Sequence, residues 1–256
     1  MHTPPTQHQQ AAQFFDRVSG SYRAKYGTRS AFHHYFFNER LEKATRGLEL
    51  ADKDVLDIGA GTGNLYDHLM ERFPSMRFHA TDVSAGMLAQ SRIPEERRFV
   101  GSAYDHDLST RQFDAIFMLG VTTYMDQEEL SRNLAFIAQS LKPGGTVVIT
   151  FTNKLGLDTM MRMLLRAPLR LFGSRNKVLS SGLRTHTFTQ AQASKAVEQH
   201  LQVLRWDLLN HTVFPFNLLL TPVALGIAKR LARQKGTPAW LRFLSSDLMV
   251  RATNKP

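Results

Sequence analysis

Asp54-Val55-Leu56-Asp57-Ile58 runs without a break into Gly59-Ala60-Gly61-Thr62-Gly63, and Asn64 to Phe73 follow at helical spacing until Pro74. A short apolar strand that leaves through a glycine turn into a helix is the opening unit of a parallel α/β layer. Glycines in that turn accept positive φ and let backbone approach a ligand with no Cβ in the way. The helix behind them presents unpaired N–H groups in its first turn. A second strand, Met76 to Thr81, ends at Asp82, 23 residues after Gly59. A carboxylate at that place suits the two hydroxyls of a ribose.

The alternation continues on the C-terminal side. Ser84 reads as the cap of a helix carrying Met87 and Leu88. Phe99-Val100 forms the core of a third strand and Phe113 to Leu119 a fourth. Asp126 and Glu129 have the spacing of a capping box, opening a helix to Leu141. Lys142-Pro143-Gly144-Gly145 reads as a turn, and Thr146 to Phe151 as a fifth strand. That strand is apolar and β-branched throughout, the pattern of one covered on both faces. Gln202 to Leu209 and Leu248 to Ala252 read as two last strands, an antiparallel pair with an apolar helix between them.

On the N-terminal side, residues 11–50 read as helices, with Phe14, Phe15, Val18 and Tyr22 on one and Phe36, Phe37, Leu41, Ala44 and Leu48 on the next. The first ten residues read as a mobile tail with no secretory signal. The expected fold is α/β, a doubly wound, mostly parallel seven-stranded sheet in one domain, 1–256. Residues 11–50 are its helical lid, 51–152 its cofactor core and 153–256 the half that completes the sheet.

Of 256 residues, 43% are hydrophobic and 21% charged, the balance of a globular protein. With no cysteine, disulfides, zinc–thiolate sites and cysteine nucleophiles are excluded. No His, Asp and Glu cluster has metal-ligand spacing. The net charge of +10 is lopsided: residues 1–154 hold 17 basic and 18 acidic side chains, residues 155–256 hold 15 and 4. A basic half favours anionic partners: a phosphorylated or carboxylated substrate, acidic lipid or RNA.

NAD is one ligand that such a glycine turn serves, yet its loop reads G-x-G-x-x-G. Here the third glycine comes one residue early, and Asp57 stands two residues before the first. An acid there suits a ligand with a positive end. The stretch from Asp57 to Gly63 resembles the first motif of the class I S-adenosylmethionine-dependent methyltransferases. Thr81 to Leu88 is similar to their second, and Leu141-Lys142-Pro143-Gly144-Gly145 to the segment before their fifth strand. The resemblance covers about residues 53–152.

It implies a Rossmann-like methyltransferase fold with S-adenosyl-L-methionine as cofactor. By that resemblance Asp57, Gly59, Ala60, Gly61 and Gly63 hold the methionine end, and Asp82 the ribose. Val83, Met87, Ser102 and Ala103 surround the adenine, with Leu119 at the exit of the fourth strand. Tyr22 resembles a tyrosine that closes over the methionine carboxylate. The loop Gly101-Ser102-Ala103 departs from a family pattern that often carries an acid after its glycine.

An alcohol or ammonium acceptor needs a general base. Tyr124 and His186 are the candidates, with His33 and His34 in the helical cover. The chain lacks the N/D-P-P-Y/F/W motif of enzymes acting on adenine or amide nitrogen; Leu119 to Tyr124 stands there instead. The expected reaction is methyl transfer to an oxygen or nitrogen of a small, fairly hydrophobic, anionic molecule in the cytoplasm.

Two stretches of the basic half carry apolar surface. Leu157 to Phe172 places Arg162, Arg166 and Arg170 on one stripe, and Val213 to Ala228 leads into a basic run ending at Lys235. Neither suits a bilayer span. They read as a greasy, basic cap on the acceptor pocket or as peripheral membrane contacts, 157–172 and 213–235; a sheet-covering dimer face is the plainer alternative. An RNA methyltransferase and a non-catalytic cofactor-binding subunit of a membrane-associated pathway are the rival functions. The first is disfavoured because the basic residues alternate with Leu and Met more than with stacking aromatics.

Overall fold

The computed structural model describes residues 6–26, 31–106, 108, 111–165, 183–211, 219–232 and 240–255. Two helices open the chain, α1 (Gln7–Tyr26) and α2 (Ala31–Thr45). Next come β1 (Asp54–Ile58), α3 (Asn64–Met70), β2 (Arg77–Asp82), α4 (Ala85–Ala89), β3 (Arg98–Val100) and β4 (Phe113–Met118). The alternation ends with α5 (Gln127–Ser140), β5 (Leu141–Thr152), α6 (Leu157–Leu164) and α7 (Gln190–Glu198). β6 (Leu201–His211), α8 (Thr221–Ala232), α9 (Leu241–Leu244) and β7 (Ser245–Asn254) close the chain.

The seven strands form one sheet in the order β3-β2-β1-β4-β5-β7-β6. Neighbours from β3 to β5 are parallel, and β7 runs antiparallel to both β5 and β6. This is the doubly wound, mostly parallel arrangement that the strand–helix alternation implies. Both faces are covered. Leu56, Ile116, Val147 and Phe151 face one core with α5 and α7; Val55, Phe117 and Val148 face the other with α2 and α3. The expected Ser84 cap is made, its Oγ accepting from Met87 N, and at the start of α7 Thr189 and Gln192 cap each other.

Three local expectations change, and a fourth is only partly covered. The presumed tail is helical from Gln7, because its side chains find partners far along the chain: Gln7 Nε2 donates to Tyr124 O and Arg184 O. Asp126 caps α5, but Glu129 does not return the bond; its carboxylate goes to His8 instead. Lys142 to Gly145 bulges within β5 rather than preceding it: Phe113 pairs with Leu141, and Ala115 already with Thr146. Of the stretch 157–172, α6 covers the first part; Arg166 and Arg170 lie outside the described residues, as do 213–218 and 233–235 of the second.

At the edge where β1 and β4 begin, Lys142 Nζ bridges Asp54 (2.9 Å) and Asp114 (2.7 Å), and Arg77 pairs with Asp54. These pairs are partly solvated, so they contribute little. Burial carries the stability. Among the described residues no helix is long and apolar enough to cross a membrane. Phe117 lies mid-sheet between Asp57 and Val148 and is fully buried. Phe117→Ala should cost about 3–5 kcal/mol in urea unfolding.

Candidate active site

The exits of β1 and β2 are locked together by backbone. Gly59 N and Ala60 N both donate to Thr81 O, at 2.8 and 3.0 Å. Gly59 has φ +76°, and a Cβ there would collide with Val121 Cγ1. The glycine is therefore demanded twice, by conformation and by close packing. Asp82 straps the next turns: Oδ2 accepts from Gly61 N (2.7 Å) and Oδ1 from Ser84 N (2.8 Å). Each oxygen keeps lone pairs for a further donor.

Asp57 is different. It is buried, lines the cavity, and its carboxylate makes no hydrogen bond or ion pair among the described residues. Burial and the charge of Asp82 push it up to about 8. Asp82 is raised to about 6 by burial, against which the Ser84 and Gly61 N–H groups work. Thr81 Oγ1 is likewise buried without a partner and lines the same cavity. A ligand bringing a cationic or donor-rich end would satisfy all three.

The cavity, about 150 Å³, gathers most of the residues expected there: Asp57, Gly59, Ala60, Gly61, Asp82 and Val83. Met87, Ser102, Leu119, Tyr22 and Tyr124 also line it. Gly63 and Ala103 do not. Gly63 is the left-handed cap of α3, and Ala103 packs into the core under α5.

Its roof is α1, held by three contacts the sequence did not announce. Asp16 Oδ1 accepts from Ser84 Oγ (2.6 Å) and Gly86 N (2.9 Å). His8 Nδ1 donates to Glu129 Oε1 (3.0 Å) and lies 3.3 Å from Ser102 Oγ. Phe15 stands edge-on to Tyr124 (5.0 Å) and Tyr22 (6.0 Å). The Glu129 hydrogen bond holds the His8 pKa above its ordinary value against burial.

A second chamber of about 350 Å³ adjoins the first, sharing Tyr22, Phe37, Arg40, Gly120 and Tyr124 with it. Arg40 also escaped the sequence reading. Its Nη2 donates to Asp247 Oδ2 (2.9 Å), while its buried Nε has no partner among the described residues. Gly120, at φ +76°, makes room for it: a Cβ there would lie 2.6 Å from Nη1. Threonines 123, 152, 185 and 187 and the Asp158–Arg162 pair of α6 form much of the far wall.

The candidate bases separate. Tyr124 stands at the junction and His33 lines the second chamber. His34 is exposed and bonded to Asn38. His186 points away, into a third hollow beside α5 and α7, because Thr185 and Thr187 turn to the chamber and the extended chain alternates. Burial first, then the neighbouring Tyr22, pushes Tyr124 well above the ordinary phenol value.

Residues 56–147 match the model of a methyltransferase domain family. Over those residues the chain is similar to class I, S-adenosylmethionine-dependent methyltransferases. The match to a malonyl-[acyl-carrier protein] O-methyltransferase of Priestia megaterium is 33% identical over 39% of this chain and 37% of that protein. An uncharacterised Synechococcus protein is 30% identical over 64% of the chain and 41% of its own length. The chain thus matches about two fifths of these relatives. A magnesium protoporphyrin IX methyltransferase from Synechocystis, solved with bound S-adenosylhomocysteine, superposes with a TM-score of 0.61 at 13% identity, over 98% of this chain and all of that one. At that identity the likeness is one of fold.

Two predictions test the methyltransferase cavity. Gly59→Ala must displace Val121 and strain the turn, so S-adenosylhomocysteine affinity by calorimetry should fall at least about tenfold, or about 1.4 kcal/mol. For the His8 clasp, the raised pKa makes its stabilisation complete below about 6.5, the ordinary value, and lost as pH rises through the raised one. Hydrogen exchange in α1 should therefore quicken relative to the sheet between pH 6 and pH 8.5, and His8→Gln should flatten that difference.

Proposed function

We propose that the protein transfers the methyl group of S-adenosylmethionine to an oxygen or nitrogen of a small anionic acceptor in the cytoplasm. The observation that carries this reading is Asp57, a buried carboxylate that has no partner among the described residues and faces a cavity roofed by α1. When bound, the sulfonium cofactor supplies an electrophilic methyl group for in-line displacement. Asp57 and the glycine turn hold its methionine end, with Arg40 as counter-charge to the carboxylate. Asp82 takes the ribose hydroxyls, and Val83, Met87 and Ser102 enclose the adenine.

The chain's own contribution to the reaction is alignment and exclusion of water. Phe15, Tyr22 and Tyr124 close the roof over the junction of the two chambers. Tyr124 stays a neutral phenol at neutral pH, so it orients the acceptor as a hydrogen-bond donor rather than taking its proton. His33 is the better placed base for an acceptor that must lose one. The acceptor's polar end lies among the threonines of the second chamber, with Arg40 and Arg162 balancing an anionic group. Phe36, Phe37 and Met163 keep that chamber partly apolar, while Met160 and Leu164 of α6 face outward.

The pKa of Asp57 gives a test with a definite sign. In the free protein the unfolded carboxyl ionises near pH 4 and the folded one near 8. Its contribution to stability is therefore full below its ordinary value and lost as pH rises toward 8. Asp57→Asn should be at least as heat-stable as the parent at pH 7.5, yet bind S-adenosylhomocysteine more weakly. The parent's affinity should rise from pH 6 to 8.5 with proton release on binding, and the variant should lose both effects. No binding by the parent at millimolar ligand defeats the reading. Mass spectrometry of candidate acceptors incubated with labelled cofactor identifies the product.

A further inference from the structure

The C-terminal ends of β5 and β6 and the N-terminal end of β7 emerge on one edge of the sheet, because β7 runs against its neighbours. Three helices sit around that edge. α9 packs on α6, β6 and β7, while α8 packs on β6 and α2. α6 is two-sided: Asp158, Thr159 and Arg162 wall the second chamber, and Met160 and Leu164 are exposed, Leu164 at 72%. α8 exposes Val223 and Ile227, preceded by Leu219 at 72%. Trp240 and Phe243, beside α9, are half exposed. Large apolar side chains left in water over several neighbouring elements mark an interaction surface.

Charge selects the partner. Lys154, Lys229, Arg230 and Arg242 are exposed around these side chains, and none forms a salt bridge among the described residues. The basic half has only four acidic residues, and none pairs with these cations among the described residues. Asp158 and Asp247 are buried and paired with arginines, and Asp207 pairs with Arg205. Glu198 closes α7, which feeds the opposite end of β6. Apolar side chains rimmed by uncompensated cations, with a tryptophan among them, match the interface of an anionic bilayer.

We propose that α6, α8 and the Trp240–Phe243 turn seat the protein peripherally on an anionic lipid surface, with the second chamber opening beside the headgroups. An amphipathic acceptor could then place its polar end among the threonines without its apolar part crossing water. The seating itself does not depend on which group is transferred.

Flotation of the full chain with phosphatidylcholine vesicles, with and without phosphatidylglycerol, tests this. The protein should float with the anionic vesicles, remain below with the neutral ones, and be released by high salt. Val223→Asp with Ile227→Asp, and separately Arg230→Glu with Arg242→Glu, should each weaken vesicle binding roughly tenfold or more. Both should leave S-adenosylhomocysteine binding unchanged, which separates loss of seating from misfolding and from failure of the methyltransferase reading. The proposal is overturned if the parent stays below with both vesicle types, or floats equally with both. It is also overturned if sedimentation shows a dimer that the Val223/Ile227 variant breaks while the parent ignores lipid.

Discussion

Two carboxylates held out of water at the exits of adjacent parallel strands set the terms for this site. Ionising both would place like charges together in a poorly hydrated space. The backbone resolves half of the conflict by giving Asp82 two N–H donors. Asp57 receives none, and it keeps its proton to an unusually high pH. The arrangement is therefore incomplete in a chemically specific way, and a cation completes it. The tight turn at Gly59, the locking of that turn to Thr81 O and the close approach of Val121 all keep this pair in place.

The roof is attached by an apolar seam, in which Ala11, Phe14 and Val18 pack with Met87 and Leu183, and by polar clasps on either side of it. Asp16 fastens α1 to the start of α4, and His8 fastens it to α5 across the cavity. Between them the aromatic trio of Phe15, Tyr22 and Tyr124 meets edge to face. Such an element can open locally without disturbing the sheet, as an enclosed cavity requires if a ligand is to enter. The clasps span long distances in sequence, which ties the helical lid to the second motif and to the cap of α5.

The second chamber reverses the simplest picture of the basic half. A wholly apolar lining would follow if all the methionines and leucines of α6 turned inward as Met163 does. Asp158 and Arg162, four residues apart on one helical face, turn inward instead and pair with each other. The greasy face of the same helix is left outside, continuous in kind with α8 and the Trp240 turn. The chamber-facing ion pair and the exposed Met160 and Leu164 belong to one helix, so neither side can change without the other.

Much of the sheet was legible in sequence because it rests on local signals. Apolar runs closed by glycine or aspartate mark strand exits, and Ser84, Asp126 and Thr189 mark helix starts by short-range hydrogen bonds. The residues Asp57 to Gly63 and Asp82 were legible for the same reason, since turn and acid must sit at the ends of neighbouring strands. Arg40, His8 and Asp16 gave no such signal. Their partners lie far away in sequence, and helical spacing says only that a face exists, not what it meets. His186 shows the converse: its place in the sequence suits catalysis, but a single step of strand alternation turns it away from the chamber. Sequence by itself determined the order of elements and the chemistry of the strand exits, which local backbone rules govern. Tertiary packing alone decided which distant side chains close the site and which face of each amphipathic helix meets solvent.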